Sequence, residues 1–81
     1  MMTIDLHHKF VDEAYELLLD FIDDAVDKKE TLIKVIHGYN RGSKLREMVL
    51  GLSEKDHDAI HHVQSEINNS GTTYIYLKFF D

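Results

Sequence analysis

Hydrophobic and polar positions divide this chain into six segments. Thr3-Ile4-Asp5-Leu6-His7 alternates apolar with polar residues, the mark of a short strand. Side chains two apart in a strand point the same way. Ile4 and Leu6 therefore share one face, and Asp5 and His7 the other. From Val11 to about Lys29 the period lengthens. Val11, Ala14, Leu18, Phe21, Ile22, Ala25 and Val26 form the stripe of an amphipathic helix, with Lys28 and Lys29 expected in its last turn. Tyr15, Leu17 and Leu19 widen that stripe, toward the core or toward a partner. Thr31 to Ile36 reads as a second strand, apolar on both parities as in a mid-sheet position. A second helix is predicted from Ser43 to Leu52, carried by Leu45, Met48, Val49 and Leu52 with Ser43 as its N-cap. Ile60 to Ile67 forms a third strand, Asn68-Asn69-Ser70-Gly71 a turn, and Thr72 to Phe79 a fourth strand. In that last strand Thr73, Ile75, Leu77 and Phe79 share one face, and Tyr74, Tyr76 and Lys78 the other.

The order β-α-β-α-β-β predicts an α/β fold of the two-layer α+β sandwich kind. Right-handed crossovers make the first strands parallel and put both helices on one side. A tight turn makes the last two strands antiparallel. The expectation is a four-stranded mixed sheet with two helices on one face and the other face largely open.

Composition narrows the setting. With 81 residues, one domain spanning 1–81 is expected. A chain this small is modestly stable, at about 5 kcal/mol. It has no cysteine, which removes disulfides and thiolate metal sites and fits a reducing compartment. No long apolar segment suggests a secretory signal or membrane span, so the chain is read as cytoplasmic and, by default, monomeric. The net charge of −6 argues against an indiscriminate nucleic-acid binder. Acid concentrates in the first helix, at Asp12, Glu13, Glu16, Asp20, Asp23, Asp24 and Asp27, while Arg41, Lys44 and Arg46 form a small basic site. That polarity suits one oriented contact with a polyanion, although a solvated helix face is the ordinary reason for such acids.

Candidate chemistry centres on His37-Gly38-Tyr39-Asn40-Arg41-Gly42-Ser43-Lys44-Leu45-Arg46, which joins a strand's end to a helix start. Glycine lets backbone approach a ligand, and helix starts expose N–H groups that suit anions. If the first two strands are parallel neighbours, His7 and His37 sit at the same sheet edge, within reach of one anion. Asp5 orients His7, one imidazole takes a proton from an attacking hydroxyl, and the other protonates the leaving oxygen. Arg41, Lys44, Arg46 and backbone N–H groups after His37 stabilise the phosphoryl charge. An RNA 2′-hydroxyl needs no metal; DNA needs activated water, with Mg2+ or Mn2+ assisting. His37 also shares parity with Ile33 and Val35, which admits a half-buried structural histidine instead. His8, His57, His61 and His62 do not add up to a metal site, because adjacent strand residues face opposite ways. Tyr74 and Tyr76, with Lys78, offer a face on which bases can stack, or are simply good strand residues.

These motifs resemble a known family. Ile4-Asp5-Leu6-His7 resembles the LDxH motif of the small MutS-related (Smr) domain, and His37-Gly38-Tyr39-Asn40 its HGxG motif. Gly42-Ser43-Lys44-Leu45-Arg46, Val11-Asp12-Glu13-Ala14 and Gly71-Thr72-Thr73 look like further family segments in the right order. The resemblance implies a fold like the C-terminal domain of translation initiation factor 3, in stand-alone form. It implies a nucleic-acid-binding or nicking function on DNA or RNA, on ribosomes in some members. Asp5, His7, His37 and Gly38 inherit the motif roles. Gly38, Asn40, Arg41, Gly42, Lys44 and Arg46 are the candidate phosphate-binding residues. The chain departs from the pattern at His8 and Asn40, where glycine is usual, and at Phe10, where threonine is common. The reading that follows is an endonuclease, RNA slightly favoured, with a non-catalytic nucleic-acid or ribosome adaptor as the alternative.

Overall fold

Alternation along the strands decides which face of the sheet is covered. The structure, a computed structural model, describes residues 1–38 and 43–79. Its elements are β1 (Met2–Asp5), α1 (Val11–Asp27), β2 (Leu32–Ile36), α2 (Lys44–Leu50), β3 (Ile60–Glu66) and β4 (Asn69–Leu77). The strands form one mixed sheet in the order β1-β2-β4-β3. β1 runs parallel to β2, with Ile4 beside Val35 and Asp5 beside Ile36. β4 lies antiparallel to both β2 and β3, setting Ile33 against Ile75 and Val35 against Thr73. Ile33, Val35, Thr73, Ile75 and Leu77 are buried on one face, while Tyr76 on the other is exposed.

The helices close over the apolar face. α1 buries Ala14, Leu18, Ile22 and Ala25, a stripe at three- and four-residue spacing. α2 adds Val49, and Leu6, Leu52, Ala59 and Ile60 complete the core. Tyr15, Leu19, Phe21 and Val26 pack at its margin, whereas Leu17 is exposed. No described helix is long and apolar enough to cross a membrane.

Element ends differ from the sequence expectation at several places: β1 stops at Asp5, leaving His7 in the turn that follows, and α2 stops at Leu50. The hairpin turn falls on Ile67 and Asn68, and Asn69 already pairs with Glu66. A turn over 68–71 would set Val63 against Tyr76 on the open face. The observed register sets it against Ile75 and the core, so burial outweighs local turn preference. Phe79 is not on the core face: β4 stops at Leu77, and Phe79 lies exposed with Lys29 Nζ 5.9 Å from its ring centroid. Lys28 and Lys29 lie just past α1 rather than in its last turn. There the Lys29 and Glu30 N–H groups donate to the Val26 and Ala25 carbonyls at 3.0 and 2.9 Å, with Lys29 at φ 62. This Schellman pair demands a left-handed residue, usually glycine. Ser43 does precede α2, but its hydroxyl donates to Glu47 Oε1 at 3.1 Å instead of capping a backbone N–H.

Candidate functional site

The parallel edge of the sheet carries the candidate chemistry. Beyond β1, the Leu6 N–H still donates to the Ile36 carbonyl at 2.7 Å, which keeps the chain beside β2 for one more residue. It then turns: the Lys9 N–H donates to the Leu6 carbonyl at 3.2 Å, with His7 and His8 between them. His8 has φ 69, the sign that a type II turn requires at its third position and that favours glycine.

Asp5 and His7 form a pair on the solvent side of this turn. Asp5 Oδ1 accepts both the His7 backbone N–H, at 3.0 Å, and the His7 ring Nδ1. Both side chains remain about half exposed. The ring hydrogen bond and then the backbone one favour the carboxylate, holding the Asp5 pKa below its ordinary value. With Nδ1 donating to Asp5, the lone pair of His7 lies on Nε2. An oriented imidazole, its second nitrogen without a partner among the described residues, is thus presented to solvent. The neighbouring His8 ring meets His7 edge-on, with centroids 4.4 Å apart.

His37 is not brought to the same side. It continues the parity of Ile33 and Val35, pointing under the helices, and is 3% exposed. Its Nδ1–H donates to the Gly38 carbonyl at 3.0 Å, and its Nε2 accepts from the Thr73 hydroxyl at 2.8 Å. Both ring nitrogens are engaged, so the two imidazoles do not converge on one anion. The reason is the two-residue period: Leu6 and His37 face the core, while Asp5 and His7 face away. Burial, the Gly38 bond and the Arg46 charge act on His37, and the net effect lowers its pKa.

Stability should therefore depend on pH through His37. In the unfolded chain the imidazole takes a proton near pH ~6.5; in the folded chain it stays neutral to lower pH. The unfolded state then binds more protons, and stability falls as pH drops below that range. Urea midpoints measured from pH 8 to 5 should decline, and the His37 part of the decline should vanish in His37→Gln.

Gly38 joins the two halves of the edge. It has φ +77, and a Cβ placed there would meet His7 Cβ at 3.4 Å. Its N–H and that of His37 both donate to the Gly71 carbonyl, at 3.0 and 2.9 Å. The Gly38 amide is thus committed inside the protein rather than aimed at a phosphate. Gly38→Ala should cost about 1–2 kcal/mol, the penalty for an L-residue in left-handed backbone. It should also shift the His7 ring resonances in an NMR spectrum, and a melting temperature equal to the wild type would contradict the strain argument.

The basic residues are only partly covered by the structure. Asn40, Arg41 and Gly42 lie outside the described residues. Lys44 opens α2 and is exposed, and Arg46 is half-buried and close enough to act on His37. The other histidines are dispersed. His57 Nε2–H donates to Asp23 at 2.7 Å while its Nδ1 accepts the Ala59 N–H; His62 bonds Gln64. Among the described residues no group of three or more His, Cys, Asp or Glu is arranged to hold a metal ion. Of the expected stacking face, Tyr76 is exposed against His62, Tyr74 donates to Glu66 at 3.2 Å, and Lys78 is drawn away to Glu54 at 3.0 Å. Thr73, the hydroxyl that completes the His37 site, carries no functional motif in the sequence. Its shared inward parity with Ile75 and Leu77 was the available signal.

The fold and this edge define a two-layer βαβαββ domain with a carboxylate–imidazole pair at the end of its parallel strands. The chain belongs to the Smr domain family, whose model matches residues 4–78. Two solved structures share the fold. The Smr domain of MutS2 from Thermus thermophilus superposes with a TM-score of 0.86 at 17% identity, covering 96% of this chain and 99% of that one. YdaL, a stand-alone small MutS-related protein from Escherichia coli, gives 0.78 at 21% identity, over 94% of this chain and 63% of that one. No curated protein matches the chain by sequence.

Proposed function

We propose that this domain is a nucleic-acid endonuclease that cleaves phosphodiesters, RNA ahead of DNA, through the Asp5–His7 pair. One observation carries the reading: an exposed imidazole is oriented by a carboxylate at the sheet edge, and its Nε2 has no partner among the described residues. Smr membership supports a nucleic-acid ligand. His7 Nε2 takes the proton of a 2′-hydroxyl, and the resulting oxygen attacks the adjacent phosphorus. Asp5 stabilises the imidazolium that forms. Water protonates the leaving 5′-oxygen, because His37 is enclosed. Lys44 and Arg46 stabilise the phosphoryl oxygens. His37 acts as a positioning residue that holds Gly38 against His7.

The test is incubation with end-labelled single-stranded, duplex and branched RNA and DNA, with and without Mg2+ or Mn2+. Product from the wild type that disappears in His7→Gln and Asp5→Asn supports cleavage. Product formed equally by wild type and variants, or by neither, removes it.

The enclosure of His37 and the net charge of −6 favour a second reading: an adaptor that binds structured nucleic acid or a ribosomal partner without cutting. Binding without product, weakened and less salt-dependent in Arg46→Ala, selects it.

A further inference from the structure

Phe10 immediately precedes α1. Helices favour Ser, Thr, Asp or Asn there, because a short side-chain oxygen satisfies a free backbone N–H. Phe10 sits at φ −72, ψ 151 and makes no such bond. The residue is 81% exposed. A lone exposed apolar side chain is ordinary on any protein. Phe10 differs in where it stands. Two residues separate it from His7, in a turn closed by the Lys9 N–H on the Leu6 carbonyl at 3.2 Å. Its own carbonyl is pinned by the Ala14 N–H at 2.9 Å. An aromatic ring thus stands on fixed backbone three residues along the chain from His7, where the chain forgoes both a cap and the burial of the ring.

The surroundings select what covers it. Lys9 is exposed and makes no ion pair among the described residues, so it is available to a phosphate. Asp12 and Glu13 follow in the first turn of α1 and repel one. A neutral, flat group can lie over Phe10 where a phosphate cannot. A nucleobase joined to a phosphodiester held at Lys9 and His7 meets both conditions. Only an unpaired base offers its face, since duplex neighbours cover it.

We propose that Phe10 is a stacking subsite for one unpaired nucleobase next to the phosphodiester at Asp5–His7, restricting the substrate to single-stranded or extruded nucleotides. The inference rests on the nucleic-acid reading above.

The test measures binding of a 2-aminopurine-labelled single-stranded RNA and of the same RNA as a duplex, for wild type, Phe10→Ser and Phe10→Tyr. Wild type should bind the single strand with a fluorescence change. Phe10→Ser should bind it about tenfold more weakly, as expected for loss of one stacked base. Phe10→Tyr should stay near wild type, and duplex binding should not respond to either change. The melting temperature of Phe10→Ser should stay level or rise, because serine restores the cap. Single-strand binding that Phe10→Ser leaves unchanged, or a lower melting temperature in that variant, overturns the subsite while the nucleic-acid reading stands. No binding of either RNA by the wild type overturns both.

Discussion

Replacing His7 by Gln should lower the single-turnover cleavage rate by about 10²–10⁴-fold, the usual contribution of one positioned acid–base group. Glutamine keeps polarity and approximate length at a half-exposed site but has no basic nitrogen. The loss should therefore appear in the chemical step, with substrate affinity nearly preserved. Stability should change little, because surface substitutions outside special features stay within about 0.5 kcal/mol. Asp5→Asn should also slow cleavage. An asparagine amide can donate to His7 Nδ1 and force the ring proton onto Nε2, the nitrogen that must be empty. If affinity falls and the rate constant does not, His7 binds substrate rather than catalyses, and the proton transfer assigned to it is overturned.

His37→Ala should act in the opposite way, on stability first. The ring fills buried space and satisfies two partners, the Gly38 carbonyl and the Thr73 hydroxyl. Among the described residues no buried side-chain polar atom lacks a partner. Alanine leaves a void and strands both groups, at a combined cost of about 3 kcal/mol. For a domain near 5 kcal/mol that is most of the margin, and the melting temperature should fall by roughly 15 °C. Thr73→Val should cost less, about 1–2 kcal/mol, because only the His37 Nε2 loses its partner. In the double variant the two losses should be strongly non-additive if the bond between them is real. A His37→Ala protein as stable as wild type would show that the buried ring is not a structural keystone.

These two histidines show how far the sequence could be read. The strand–helix order was legible because the periods differ, near two in Thr72 to Leu77 and near 3.6 in Val11 to Asp27. The Asp5–His7 pair was legible for the same reason, since residues two apart in a strand share a face. His37 was legible only as an alternative. Its parity with Ile33 and Val35 marked it as inward, but nothing local identified Thr73 as its partner. Asn68–Gly71 is rich in turn formers, yet the turn forms at Ile67 and Asn68, because partial burial of Val63 opposite Ile75 sets the register. The alternation that points Phe79 inward does not hold there, because the strand ends at Leu77.

By itself, then, the chain determined its elements, the shared outward side of Asp5 and His7, and the family motifs. These depend on neighbours two to four residues apart, where backbone geometry alone fixes direction. The tertiary structure alone decided that β4 inserts between β2 and β3, which brings Thr73 of β4 to His37 at the end of β2. It alone decided that the Gly71 carbonyl takes the Gly38 amide and that one imidazole is enclosed while the other meets solvent. Those outcomes join residues more than thirty positions apart, and only the packing of helices on one sheet face sets which of them meet.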